Sequence, residues 1–222
     1  MRSTNESVEW LVERAGVLLG PDHFRLRSGR HSRYYFDKDR LIALPRLLDR
    51  LTYELATKLL ASRAEVIIGS AMGGAFLAIE VARHLSLLCG NQHEVYGVFA
   101  DKTHNSAIHI RDYFRGLING QRVVLVDDTV TTGDSIAELR HQVIESGGQV
   151  VGLGVICNRR QLTAEDIGIT PFCQLLDLSI EDYAAGSGCP MCREGILLNT
   201  TVGHSREFLK RRQELLPART TP

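Results

Sequence analysis

The sequence has no surplus of either charge: Lys plus Arg and Asp plus Glu number 26 each. This excludes the global basic field of a nucleic-acid or anionic-membrane binder. No apolar run approaches the roughly 20 residues that cross a bilayer. Residues 1–16 lack the apolar centre of a secretory signal. Cysteine is scarce: five, an odd number in 222 residues, do not suggest a disulfide framework. A reducing cytoplasm is therefore the expected location. There is no internal repeat, low-complexity tract or interdomain linker. No G-x-G-x-x-G follows a strand-like run and no G-x-x-x-x-G-K-[ST] occurs, so the usual nucleotide loops are missing.

What is present is a chain that is 44% hydrophobic, enough for a sizeable core in one medium domain. Ser3 to about Leu19 has helical periodicity, with a possible Ser3–Glu6 capping box and a stop at Gly20-Pro21. Phe24 and Leu26 alternate with Arg25 and Arg27, Ser28-Gly29-Arg30 is a turn, and Tyr34-Tyr35-Phe36 follows, which predicts a hairpin. Leu47, Leu48, Leu51, Leu55 and Leu59 recur at helical spacing. Ala64 to Ile68 reads as a buried strand, Gly69 to Gly74 as a small-residue loop, and Ala75 to Leu88 as a helix. Val95 to Ala100 is another strand, and Ala107 to Arg111 alternates weakly, as part of a hairpin would. Val123 to Val126 is the most hydrophobic strand. Ser135 to Glu145 is a helix, with Ile136, Leu139, Val143 and Ile144 on one face, stopped by Gly147-Gly148, and Val150 to Cys157 is the next strand. Strands alternating with helices imply an α/β fold with a parallel sheet covered on both faces. Beyond about Pro217 the tail is expected to be disordered.

The most informative stretch is Val123-Val124-Leu125-Val126-Asp127-Asp128-Thr129-Val130-Thr131-Thr132-Gly133. A buried strand delivers two carboxylates and a hydroxyl-rich loop to its carboxyl end, where open parallel sheets bind ligands. Gly133 permits close backbone approach, and N–H groups at the following helix start suit a phosphate. Thr129, Thr131, Thr132 and Ser135 can add hydroxyl donors. Asp127 and Asp128 repel phosphate but accept hydrogen bonds from sugar hydroxyls, and one could lie near a metal ion. A phosphate cradle beside a diol acceptor fits a ribose 5-phosphate. An ordinary strand-to-helix turn explains the acids, but not the whole string.

This string resembles the signature of type I phosphoribosyltransferases. The resemblance implies a central, mainly parallel sheet flanked by helices, with a small hood built from N-terminal elements. It also implies binding of phosphoribosyl pyrophosphate with magnesium: Thr129, Val130, Thr131, Thr132 and Gly133 on the 5-phosphate, Asp127 and Asp128 on the ribose 2- and 3-hydroxyls. Residues 1–40 would form the hood, 41–175 the core and 176–222 a C-terminal extension. Phe24 to Arg30 looks like the N-terminal signature of orotate phosphoribosyltransferases, which implies a pyrophosphate contact for Arg27 and an orotate contact for Tyr35 and Phe36. Four Arg within residues 25–33 suit phosphate and carboxylate oxygens. Met72, Gly73 and Gly74 occupy the place of the pyrophosphate loop. Arg159 stands where the family's Arg holds the orotate carboxylate, although Asn158 replaces the usual Asp.

Two features depart from the long-loop pattern. Many orotate phosphoribosyltransferases have a mobile loop with Lys-x-x-Lys-x-His-Gly, whereas the equivalent stretch here, Phe99 to Ala107, has a single Lys, Lys102, which the resemblance makes the expected loop cation, with Arg115 and His104 behind it. Cys189-Pro190-Met191-Cys192 resembles a Cys-Pro-Leu-Cys element of one group of orotate-type enzymes. A lone C-x-x-C is a weak zinc signal, with Cys173 and His204 as the partners available, so no dedicated metal cluster is expected. Magnesium would be held mainly by substrate, helped by Asp127 or Asp128. The implied activity is a glycosyltransferase reaction of pyrimidine nucleotide biosynthesis: phosphoribosyl transfer to orotate, giving orotidine 5-phosphate and pyrophosphate. In the resembling family the loop reaches the active site of the neighbouring subunit, which implies a homodimer, and no nucleic acid or membrane partner is expected. Alternatives are another base, such as a purine, a non-catalytic sensor of phosphoribosyl pyrophosphate, or an unrelated α/β nucleotide binder.

Overall fold

A computed structural model describes residues 7–26, 28–90, 94–102, 107–203, 205 and 209. Helix α1 (Val8–Arg14) stops well before Leu19. The chain reverses at Gly16 (φ 67°), where the Val17 N–H donates to the Val12 carbonyl at 2.8 Å, a closure that glycine allows. Leu18–Leu19 is instead strand β1. The Ser3–Glu6 capping box and the tail beyond Pro217 lie outside the described residues.

The predicted hairpin forms with a different second strand. β2 (Phe24–Arg25) pairs with β3 (His31–Ser32), and the Leu26 N–H donates to the Arg30 carbonyl across the turn. Ser32 Oγ then accepts from the Tyr34 N–H at 3.3 Å and bends the chain. Tyr35–Phe36 becomes β4, antiparallel to β1, with Leu18 opposite Phe36.

After α2 (Lys38–Ile42), helix α3 (Pro45–Leu59) begins on a proline, whose missing N–H costs nothing in a first turn. Its Leu51, Leu55 and Leu59 are fully buried. Truncating any of them to Ala would cost about 2–5 kcal/mol. β5 (Val66–Ser70) leads into α4 (Ala71–Leu88), then come β6 (Tyr96–Lys102), β7 (Ile108–His109) and α5 (Asp112–Ile118). β8 (Arg122–Val130), α6 (Asp134–Glu145), β9 (Gln149–Asn158), α7 (Ala164–Ile167) and β10 (Phe172–Asp177) complete the core. β11 (Asp182–Tyr183) and α8 (Pro190–Arg193) follow.

The main sheet has the order β10-β9-β8-β5-β6-β7, parallel except for β7, the predicted weak hairpin strand. The chain therefore folds as the mainly parallel α/β sheet that its alternating pattern implies. Three expectations change. Residues 71–74 are the first turn of α4 rather than loop. β8 runs through both acids to Val130. Ile144 is 54% exposed, so the buried face of α6 is Ile136, Leu139 and Val143.

The chain divides into two compact units. One contains Lys38–Ser179 with the residues up to Leu11, and holds the six-stranded sheet. The other combines Val12–Asp37 with the chain from Ile180 onward, and holds the sheets β1-β4 and β11-β3-β2. Among the described residues no helix is long and apolar enough to cross a membrane.

Candidate active site

The site grows from the carboxyl ends of β5 and β8, neighbouring parallel strands with Gly69 opposite Val126. Side chains alternate along a strand, so Asp127 and Asp128 meet different surroundings. Asp127 lines a cavity of about 130 Å³ shared with Thr129, Thr131, Thr132, Gly133 and Ser135. Gly133 caps α6 at φ 85°, and no side chain caps that helix start. Its first-turn N–H groups therefore face a hydroxyl-lined hollow suited to an anion. Thr132 Oγ1 donates to Asp134 at 2.7 Å.

Asp128 is 6% exposed. It accepts a hydrogen bond from Thr129 Oγ1 at 2.9 Å, and its Oδ2 lies 3.9 Å from Lys38 Nζ. The backbone of Gly73 packs directly on it: a Cβ at position 73 would stand 2.0 Å from Asp128 Oδ2. Gly69 and Gly74 are equally close, since a Cβ on Gly69 would meet the Gly74 carbonyl at 1.9 Å. These approaches explain why glycine, the poorest helix former after proline, occupies the first turn of α4. They also set the expected pyrophosphate segment beside the diacid. Met72, 73% exposed, lies in that same turn.

Two like charges cannot be packed together without cost. Crowding by protein, and then the carboxylate of Asp128, push the Asp127 carboxyl up to about 8, against the Asp128 N–H, Lys102 and Lys38, which favour its ionised form. Ser70 Oγ lies 3.5 Å from Asp127.

Lys102 ends β6, exposed. Its neighbour Asp101 is engaged by Arg111 at 2.7 and 3.1 Å, which holds that carboxyl below its usual range. Arg115 is tied to the Ile110 carbonyl, Gln142 and Ser146, so it is a structural residue rather than a reserve loop cation. His104 and Arg27 fall outside the described residues. Lys38 was not anticipated; nothing in Phe36-Asp37-Lys38-Asp39 marks one charge above its neighbours, and only the fold brings it to Asp128. Asn158, the departure from Asp, is buried and bonded to Leu162 and Gln174, which braces the turn that carries Arg159. Arg159 is half-buried, and its N–H donates to the Val130 carbonyl at 2.9 Å. Tyr35 and Phe36 belong to the other unit.

The expectation of no metal-ligand cluster does not hold for the side chains. Cys189 and Cys192 are grouped with His23 and His31. Their supposed partner Cys173 lies in the sheet-bearing unit, 3.7 Å from the Lys58 carbonyl, and His204 is outside the described residues.

Comparison with known proteins gives consistent results. The phosphoribosyl transferase domain family matches residues 41–190. An orotate phosphoribosyltransferase of Pelotomaculum thermopropionicum is 36% identical over 193 residues, covering 87% of this chain and 94% of that protein. One from Thermotoga maritima is 34% identical over 189 residues, 85% of this chain and 94% of that protein. Among solved structures, the orotate phosphoribosyltransferase of Mycobacterium tuberculosis H37Rv in complex with inorganic phosphate superposes with a TM-score of 0.55 at 25% identity. That match covers 78% of this chain and 95% of that one.

Proposed function

The chain belongs to the phosphoribosyl transferase domain family, among the orotate phosphoribosyltransferases, and from that premise we propose that it transfers the 5-phosphoribosyl group from phosphoribosyl pyrophosphate to orotate. The observation that carries the reading is one juxtaposition. A hydroxyl-lined anion hollow, a buried diacid and a glycine turn packed on Asp128 all stand at one end of one sheet.

The bond from ribose C1 to the pyrophosphate oxygen breaks, and C1 joins a ring nitrogen of orotate. Orotate is already an anion, so no strong base is required, and the chain's task is to position, neutralise and exclude water. Thr129 to Gly133, with Ser135 and the start of α6, take the 5-phosphate. Asp127 and Asp128 accept from the ribose hydroxyls. Met72, Gly73 and Gly74 border the pyrophosphate, Lys102 neutralises it as it leaves, and Arg27 assists. Tyr35 and Phe36 flank the base, and Arg159 takes its carboxylate. A pair of crowded carboxylates is also a suitable oxygen donor set for magnesium. The ion, when bound, offsets charge on the pyrophosphate. We place the protein in the cytoplasm as a homodimer.

The raised Asp127 carboxyl gives a testable signature. Burial and Asp128 favour its protonated form near neutral pH, whereas accepting from the ribose diol, and holding magnesium, would require the ionised form. Binding of magnesium phosphoribosyl pyrophosphate should therefore release a proton at neutral pH, and affinity should rise with pH until it flattens above about 8. Calorimetry in buffers of different ionisation enthalpy measures the release, which Asp127→Asn should abolish. Lys102→Ala should lower kcat by about a hundredfold with little change in thermal stability. An unchanged kcat would remove Lys102 from the mechanism.

Specificity is tested by offering orotate, uracil, adenine, guanine and hypoxanthine in parallel. Selective use of orotate supports the reading, and a purine preference would replace it with another base.

A further inference from the structure

We propose that the second unit contains a structural zinc site formed by His23, His31, Cys189 and Cys192. The four ligand atoms lie within 4.8 Å of one another. Cys189 Sγ and Cys192 Sγ stand 3.7 and 3.8 Å from His23 Nε2, and Cys192 Sγ is 3.3 Å from His31 Nδ1. Zinc bonds of about 2.0–2.1 Å to nitrogen and 2.3 Å to sulfur place tetrahedral ligands roughly 3.3–3.8 Å apart. Both Cys189–His23 and Cys192–His31 fall in that range. The imidazole nitrogens are closer, 2.8 Å, the distance of a hydrogen bond from His31 Nδ1 to His23 Nε2; zinc would take the place of that hydrogen, with His31 protonated on Nε2 instead, and separate the nitrogens by about half an ångström.

Three further observations fit a metal rather than an ordinary polar core. His23, His31 and Cys189 are all at least 95% buried. The other ring nitrogen of His23, Nδ1, lies 2.7 Å from the Ile196 carbonyl. A carbonyl can only accept, so Nδ1 carries the hydrogen and Nε2 presents its lone pair to the cluster, the usual orientation of a ligating His. Finally, Cys189 caps α8, Pro190 opens it and Cys192 lies within its single turn, so the C-x-x-C spacing presents both sulfurs to one point. Two thiolates and two imidazoles leave no open position, which marks a structural rather than catalytic site, and this soft, tetrahedral set selects zinc.

The fold gives such a site a purpose. Its ligands come from the two ends of the chain, 166 positions apart for Cys189 and His23. Elsewhere the hairpin and the C-terminal segment are joined by the short β3–β11 ladder, the Arg30–Asp182 pair at 2.8 Å and the Asn199 N–H to the His23 carbonyl. A small unit with a modest core gains from a clip that closes a long loop. The same clip anchors the hairpin through His23, just before β2, and His31, in β3.

The test begins with the wild-type chain, and variants then assign the ligands. Protein purified from zinc-supplemented medium should carry stoichiometric zinc by mass spectrometry. Cobalt(II) exchanged into it should give the visible bands of a tetrahedral ion and a thiolate charge-transfer band. Cys192→Ser and His31→Ala should lose both signals, Cys173→Ser should retain them, and chelation should lower the Tm. The proposal is overturned if the wild type binds neither zinc nor cobalt with that spectrum, if Cys189 and Cys192 are isolated as a disulfide, or if Cys189→Ser/Cys192→Ser keeps full zinc content.

Discussion

Asp128→Asn should reduce kcat/KM by at least about a hundredfold while the protein still folds. Asn has nearly the same shape and can accept from Thr129 Oγ1 as Asp128 does at 2.9 Å, so packing around this 6% exposed side chain survives. What is lost is the charge. Hydrogen bonds to a charged acceptor contribute about 1.5–3 kcal/mol each. Losing two of them to ribose hydroxyls in the transition state corresponds to roughly two to four decades of rate. Lys38, 3.9 Å away, also loses its counter-charge. Steady-state kinetics beside a thermal melt separates the two effects. Near-normal turnover would refute the role given to this carboxylate.

Gly73→Ala should produce a comparable loss by steric means alone. Alanine favours a helix over glycine by about 1 kcal/mol, so local propensity predicts a gain in stability. The tertiary contact predicts the reverse. The new methyl would sit 2.0 Å from Asp128 Oδ2 and 2.9 Å from its Cγ. The carboxylate must move, and a displacement of about an ångström in a positioning group costs on the order of a hundredfold in rate. Overpacking of this kind costs about 1–3 kcal/mol of stability. The double variant Gly73→Ala/Asp128→Asn should be little worse in activity than either single variant, because both act on one carboxylate. Additive losses would show that Gly73 acts elsewhere.

Asp128 and Gly73 differ in how clearly the sequence announces them. The string from Val123 to Gly133 was readable because its signals are local: an apolar run, adjacent acids, hydroxyls and a glycine. The fold preserves their order, and only the end of the strand moved, to Val130. The first turn of α4 was not readable. Gly73-Gly74 locally signals a loop, and helix is imposed by close packing of Gly74 on Gly69 and of Gly73 on Asp128, the latter far along the chain and outside any local window. Tyr35 and Phe36 form the expected strand but pair with Leu18-Leu19 and not with Phe24-Arg25, because the chain leaves the helix at Gly16, a long-range outcome that local alternation does not encode. Lys38 was missed for lack of any motif. The four proposed zinc ligands were missed as a set because two lie in the hairpin and two near the other end of the chain. Cys173 and His204 were simply the remaining Cys and His close in sequence to the Cys-Pro-Met-Cys element.

The central claim is tested most directly by turnover. The protein is mixed with phosphoribosyl pyrophosphate, magnesium and orotate, and orotate absorbance is followed together with released pyrophosphate. The account predicts that the two change in equal amounts, with orotidine 5-phosphate as product. Measurable binding of phosphoribosyl pyrophosphate with no consumption of orotate or any other base would contradict it, and would leave the chain as a sensor of that ligand.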